Sequence, residues 1–179
     1  MTVTVLGSTP ADRYLTRSGA HPGDRLCVSG TLGDAAAGLA VLNVELAVDE
    51  SAAAFLTTRY TRPSARMALG QALRNCATSC IDLSDGLLAD AAHIASASGV
   101  GLEINSALLP LSKALRSSAD LDQRLDWALA GGGDYELLFT LSDNMPLPDG
   151  CTEMGRVVVG SGISCDRTPE RIGYDHFRR

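Results

Sequence analysis

Two rhythms of apolar residues run along the chain. Thr2-Val3-Thr4-Val5-Leu6 alternates and is β-branched, which predicts a strand, and it stands at the start of the sequence with nothing before it to pair with. Past the Pro22-Gly23-Asp24 turn, Arg25 to Ser29 predicts a short strand. Gly30-Thr31-Leu32-Gly33 then leads into an Ala-rich helix over Asp34 to Asn43, and a second helix covers Glu50 to Arg59. Arg62-Pro63-Ser64 is a break, because the residue before a proline avoids the helical region. Ser64 is placed to cap a helix over Ala65 to Cys76, where Leu69, Ala72, Leu73 and Cys76 form an apolar stripe.

Ala77 to Leu83 predicts another strand. Ser84 or Asp85 caps a helix over Gly86 to Ser98, with Leu87, Ala91 and Ile94 facing one way and Gly99 as its stop. Val100 to Ile104 reads as a strand, and Pro110 to Ser117 and Leu121 to Ala130 as short helices. Gly131-Gly132-Gly133-Asp134 is a flexible turn before strands over Tyr135 to Leu141, Glu153 to Val159 and Gly162 to Cys165. No internal repeat is visible. Helices and strands mix without strict alternation, which predicts an α+β fold, a mixed or antiparallel sheet with helices packed on one face.

Composition narrows the class. A chain of 179 residues with 45% apolar and 20% charged positions can bury a core, and with aromatics at only 4% that core is built from Ala, Leu and Val. The formal charge of −6 argues against nucleic acid as a partner but not against nucleotides, whose phosphates metal ions can neutralise. The five cysteines form no Cys-x-x-Cys pair, so buried free thiols are expected rather than a zinc site. No apolar stretch is long enough to span a membrane and no signal-peptide pattern opens the sequence, so the protein reads as cytoplasmic.

The strongest chemical candidate is Ile81-Asp82-Leu83-Ser84-Asp85-Gly86. A strand delivers Asp82 to its end, and a helix begins just beyond, where free N–H groups and a partial positive charge suit phosphate. Two carboxylates three apart supply oxygens suited to a hard cation such as Mg²⁺. On spacing alone, simple helix capping explains the segment better than a ligand site does; against it, Asp82 follows an apolar strand and needs a partner if buried. Gly30 to Gly38 has neither a P-loop ending nor a dinucleotide fingerprint, so it reads as a tight turn and a close helix contact. Arg17 stands in a loop where a guanidinium is either solvated or gripping phosphate. The three consecutive glycines suggest close approach of a ligand or another chain. His93 and His176 share no ligand spacing, and no Ser-His-Asp set is supported.

Seven blocks, in order, resemble the thiamine-monophosphate kinases: Leu15 to Ala20 with Pro22-Gly23-Asp24; Gly30 to Leu39; Arg62-Pro63-Ser64; Gly70 to Arg74; Ile81 to Leu87; Asp134 to Leu137; and Gly173 to Phe177. The resemblance implies ATP-dependent phosphorylation of thiamine monophosphate to thiamine diphosphate by direct in-line transfer. It also implies the aminoimidazole-ribonucleotide synthetase-like fold and a homodimer in the complete enzyme. By the same resemblance Asp82 and Asp85 match magnesium ligands, Arg17 and Ser84 match ATP contacts, and Gly133 and Tyr174 match substrate contacts. Gly133 departs from a position that is commonly acidic in the family, so no side-chain contact is carried over there, while Asp134 beside it is retained.

The family's aspartate-rich N-terminal domain has no counterpart here. Residues 1–12 are therefore expected to be the last strand and linker of that missing domain, and 13–179 the C-terminal ATP- and substrate-binding domain. The chain alone is then expected to be inactive. Two alternatives stay open: a related kinase or synthetase with another small substrate, and a non-catalytic nucleotide-binding module.

Overall fold

A computed structural model describes residues 2–11 and 13–169. Six strands form one mixed sheet: β1 (Arg25–Ser29), β2 (Ala77–Asp82), β3 (Gly101–Ile104), β4 (Leu137–Leu141), β5 (Cys151–Val158) and β6 (Gly162–Cys165). The spatial order is β2-β4-β1-β5-β3-β6, antiparallel throughout except for the parallel pair β3·β6. The helices are α1 (Asp34–Leu42), α2 (Glu50–Thr61), α3 (Met67–Leu73), α4 (Leu87–Ser98), α5 (Lys113–Ser118) and α6 (Leu121–Ala130). None of the described helices is long and apolar enough to cross a membrane.

Strand alternation sends side chains to two faces. Leu26 and Val28 of β1 and Leu138 of β4 enter the main core, with Leu87, Ala91 and Ile94 of α4 and Leu125, Ala128 and Leu129 of α6. Each fully buried Leu or Ile here contributes roughly 1.5–3 kcal/mol. Cys27, Phe139 and Leu141 point the other way and meet Leu69 and Leu73 of α3. The principal helices therefore cover one face, and the opposite face receives the short α3 and Leu15. Helices α1, α2 and α5 build an outer layer around Ala37, Leu56 and Leu115. Gly38 lets α1 and α2 touch, since a Cβ there would overlap the Leu56 carbonyl.

Three expectations shift. Thr2 to Leu6 forms no strand: it pairs with nothing among the described residues, and Val3, Val5 and Leu6 are 71%, 86% and 92% exposed. A strand needs a neighbour to take its N–H and C=O groups, whatever its alternation promises. Helix α3 is shorter than read from the sequence, starting at Met67 with Arg66, not Ser64, at its N-cap and no side-chain cap. Pro63 disfavours helical backbone only at Arg62 before it; the later start follows Arg66, whose side chain is held elsewhere, as described below. Helix α5 starts at Lys113 rather than Pro110, because the Ser112 hydroxyl caps it by accepting from the Leu115 N–H.

Candidate functional site

β2 is an edge strand and ends at Asp82. The chain turns through Leu83 to Gly86 and enters α4. Gly86 takes φ 118°, ψ 153° at the N-cap, a conformation open to glycine alone, and no side chain caps there. The expected cap by Ser84 or Asp85 is thus replaced. The acceptor is Asp90, one turn inside the helix and 2% exposed. Its Oδ2 accepts from the N–H groups of Ser84 (2.9 Å), Asp85 (3.0 Å) and Gly86 (3.3 Å). The donors that looked ready for a phosphate are occupied by the chain's own carboxylate.

Asp82 is exposed and Asp85 half-buried, and neither carboxylate has a hydrogen-bond or ion-pair partner among the described residues. Asp82 therefore needs no buried partner, which corrects the expectation from its apolar strand. Both keep lone pairs free, as a hard oxygen-seeking cation requires. The set is small: no group of three or more His, Cys, Asp or Glu is placed to share a metal among the described residues. Two carboxylates suit Mg²⁺, which keeps several waters and takes further oxygens from substrate phosphates. The Ser84 hydroxyl is half-buried beside them.

The strap Leu15-Thr16-Arg17 runs beside β2, with the Cys80 N–H donating to the Thr16 carbonyl at 2.8 Å. Ser98 Oγ fixes it further by donating to the Arg17 carbonyl at 3.2 Å. Between strap and strand lies a cleft of about 380 Å³ lined by Leu15, Thr16, Arg17, Gly70, Cys80, Ile81, Asp82 and Leu137. The fold thus brings Arg17 and Asp82, 65 positions apart in sequence, to one cleft. A larger groove of about 560 Å³ lies at the far edge of the sheet. Its Arg156 pairs with Asp143, its Glu153 with Arg25 and Arg156, and its Asp166 accepts from Ser106, which leaves Glu103 as its one charged side chain without a partner among the described residues.

The triple glycine has a different use from the one its sequence suggested. Its close neighbour is the Ser84–Gly86 turn: the Gly133 N–H donates to the Ser84 carbonyl at 3.0 Å, and a Cβ on Gly132 would sit 2.5 Å from that same oxygen. Two backbones pack face to face, and the turn is held from outside by the glycines and from inside by Asp90. Gly133 itself has φ 89°, and a Cβ there would meet the Ala35 methyl at 3.5 Å, an ordinary contact. Tyr174 and His176 lie outside the described residues.

Beside the site is a polar cluster that the sequence pattern did not single out. Glu136 is fully buried and accepts from Arg59, from both Nε and Nη2 of Arg66, and from the Ser29 hydroxyl. Buried Asp34 accepts from Thr31 and Ser112 and faces Arg59 at 3.6 Å. Asp134 caps α1, its two oxygens accepting from the N–H groups of Gly33 (2.6 Å) and Ala35 (2.9 Å). Burial pushes the Asp134 carboxyl up to about 7, against the pull of those two N–H groups. Burial also raises Asp34. Tyr135, between Asp134 and Glu136, takes φ 51°, a kink that sends both neighbouring carboxylates inward. A signal for Asp90 did exist: it lies at i, i+3, i+4, i+7 spacing with Leu87, Ala91 and Ile94 on the buried stripe of α4. A charge on such a stripe requires a partner.

The chain is similar in sequence and fold to known proteins. The chain is 45% identical to the thiamine-monophosphate kinase of Escherichia coli K12 over 193 aligned residues, covering 99% of this chain and 59% of that protein. A solved complex described as AaThiL with AMPPCP and TMP superposes with a TM-score of 0.84 at 41% identity, over 92% of this chain and 55% of that one. The thiamine-monophosphate kinase of Stenotrophomonas maltophilia K279a superposes with a TM-score of 0.79 at 39% identity, over 85% and 52%. The chain thus spans little more than half the length of these relatives. Residues 21–160 match the family described as AIR synthase related protein, C-terminal domain. The chain belongs to that family.

Proposed function

We propose that this chain is the nucleotide- and metal-binding part of a thiamine-monophosphate kinase, which transfers the γ-phosphoryl group of ATP to thiamine monophosphate. The observation that carries the reading is the meeting of Arg17 and Asp82 at one cleft, next to the unpartnered Asp85. The relatives of that name, and the complex with AMPPCP and TMP, support it.

Each residue has a job in this reading. The exposed Arg17 guanidinium grips phosphate oxygens of the nucleotide, with bidentate geometry open to it. The Ser84 hydroxyl offers a further hydrogen bond to the nucleotide. Asp82 and Asp85 hold Mg²⁺, which when bound supplies the positive charge that an acidic chain lacks. No residue of the site needs to act as a nucleophile, because phosphoryl transfer depends on position and charge neutralisation. Gly133 is taken as the first substrate position, where glycine brings no side chain. Tyr174 is kept as the second substrate position. A thiamine phosphate oxygen attacks the γ-phosphorus directly and in line, and the bond from that phosphorus to the β,γ-bridging oxygen breaks as ADP leaves.

The domain reading is part of the proposal: residues 1–12 as the last strand and linker of an N-terminal domain, the strand pairing only when that domain supplies its neighbour, 13–179 as the ATP and substrate domain, and a homodimer when complete. So is a cytoplasmic location, which suits five unpaired thiols. The deciding experiment is Asp82→Asn in the full-length protein, assayed with Mg-ATP and thiamine monophosphate. Turnover is expected to collapse while circular dichroism stays unchanged; normal activity would remove the metal role. Profiling the wild type against other small phosphate acceptors separates this substrate from those of related enzymes.

A further inference from the structure

We propose that Asp90 is the positioning residue of the metal-holding turn, converting a backbone suited to anions into one that presents cations. The inference rests on the metal role proposed for Asp82 and Asp85.

Three successive N–H groups, of Ser84, Asp85 and Gly86, converge on one oxygen of Asp90. Such a run of amides at a helix start is an anion-binding concavity. Left empty, it would attract phosphate directly, and the turn would be free to choose between gripping nucleotide and holding metal. Asp90 fills it from within. It sits on the core face of α4 with Leu87, Ala91 and Ile94, so it cannot leave without opening the core. On the outer side, the Gly133 N–H holds the Ser84 carbonyl. With amides drawn inward, Ser84 and Asp85 have fixed backbones, and the Asp82 and Asp85 carboxylates keep no competing donor among the described residues. Phosphate is then held at this turn by way of a cation and not by the peptide.

This differs from ordinary helix capping in what it predicts. A cap stabilises α4 and leaves metal affinity alone. A positioning residue sets metal affinity, and outer-shell partners of that kind typically change it about 10–100-fold. The test uses the full-length protein and Mn²⁺ as the probe, titrated by water-proton relaxation with AMPPCP present, alongside thermal melting. Asp90→Asn is expected to fold and to bind Mn²⁺ about ten-fold more weakly. Asp90→Gly is expected to lose more and to recover affinity on adding acetate, which can refill the vacated amides. Folded Asp90→Asn with wild-type Mn²⁺ affinity, while Asp82→Asn binds poorly, overturns the proposal and leaves the metal reading standing. Wild-type affinity in Asp82→Asn overturns the metal reading and this proposal with it. Amide shifts at Ser84 to Gly86 on adding metal-free AMPPCP to the wild type would also overturn it, since they would show phosphate on the backbone.

Discussion

Two acidic regions lie side by side in this fold and behave in opposite ways. Around Glu136, every carboxylate is buried and saturated: Glu136 takes Arg59, Arg66 and Ser29, and Asp34 takes Thr31, Ser112 and Arg59. At the end of β2, Asp82 and Asp85 reach solvent with their oxygens unclaimed among the described residues. The residue types are the same, and pairing decides the role. A saturated buried cluster holds the loop after β1 against the start of β4. An unsaturated exposed pair is available for a ligand, and Asp90 belongs with the first kind although it stands beside the second.

The sharpest way to break that contrast is Glu136→Ala. Arg66, 34% exposed at the side chain, would lose its one carboxylate among the described residues, and Arg59, 12% exposed, would keep only Asp34. A loss of about 3–5 kcal/mol is expected in denaturant melts; a near-neutral result would mean the cluster relaxes to solvent and is not structural. Asp82→Asn should show the reverse profile: turnover down on the order of 10²–10³-fold in the full-length enzyme, with the melting midpoint unmoved. Loss of stability without loss of activity would place Asp82 in the structural class.

Asp134 provides a pH test. Its carboxyl titrates near 7 in the fold and near 3.8 when unfolded, so the folded chain holds an extra proton between those values. The contribution of this group is fully present below about pH 4 and is lost as pH rises through 7. Melting midpoints of Asp134→Asn against the parent should show a weaker fall over that window; identical slopes would contradict it. The smallest effect is expected at the exposed Arg156–Asp143 pair, where Asp143→Asn should leave the melt unchanged, as for most solvent-screened pairs.

Much of the fold could be read along the chain. The strands Arg25–Ser29 and Gly162–Cys165 and the helix Leu121–Ala130 form where the local pattern placed them. Each has its signal in or next to its own residues: an apolar run in Arg25–Ser29, alternation in Gly162–Cys165, helical spacing in Leu121–Ala130; the structure adds Asp120 as the N-cap of that helix, accepting from the Gln123 N–H. Thr2 to Leu6 had the same local signal and formed nothing, because pairing is not a property of one segment. Asp82, Ser84 and Asp85 could be found as a motif. That Asp90 fills the amides behind them could be found only as a misplaced charge on an apolar stripe. The Arg59–Glu136–Arg66 cluster gave no signal, since its members are 7 and 70 positions apart.

By itself the sequence determined the elements, the family and the short motifs, because turns, caps and hydrophobic periods are set by neighbours within a few residues. Only the tertiary structure decided which carboxylates are free. That depends on which donors reach each oxygen across the fold, and here it divided Asp82 and Asp85 from Asp34, Asp90 and Glu136. It also decided the meaning of the three glycines, whose partner is the turn carrying those free carboxylates. A hydrogen bond depends on distance in space, and separation along the chain does not fix that distance.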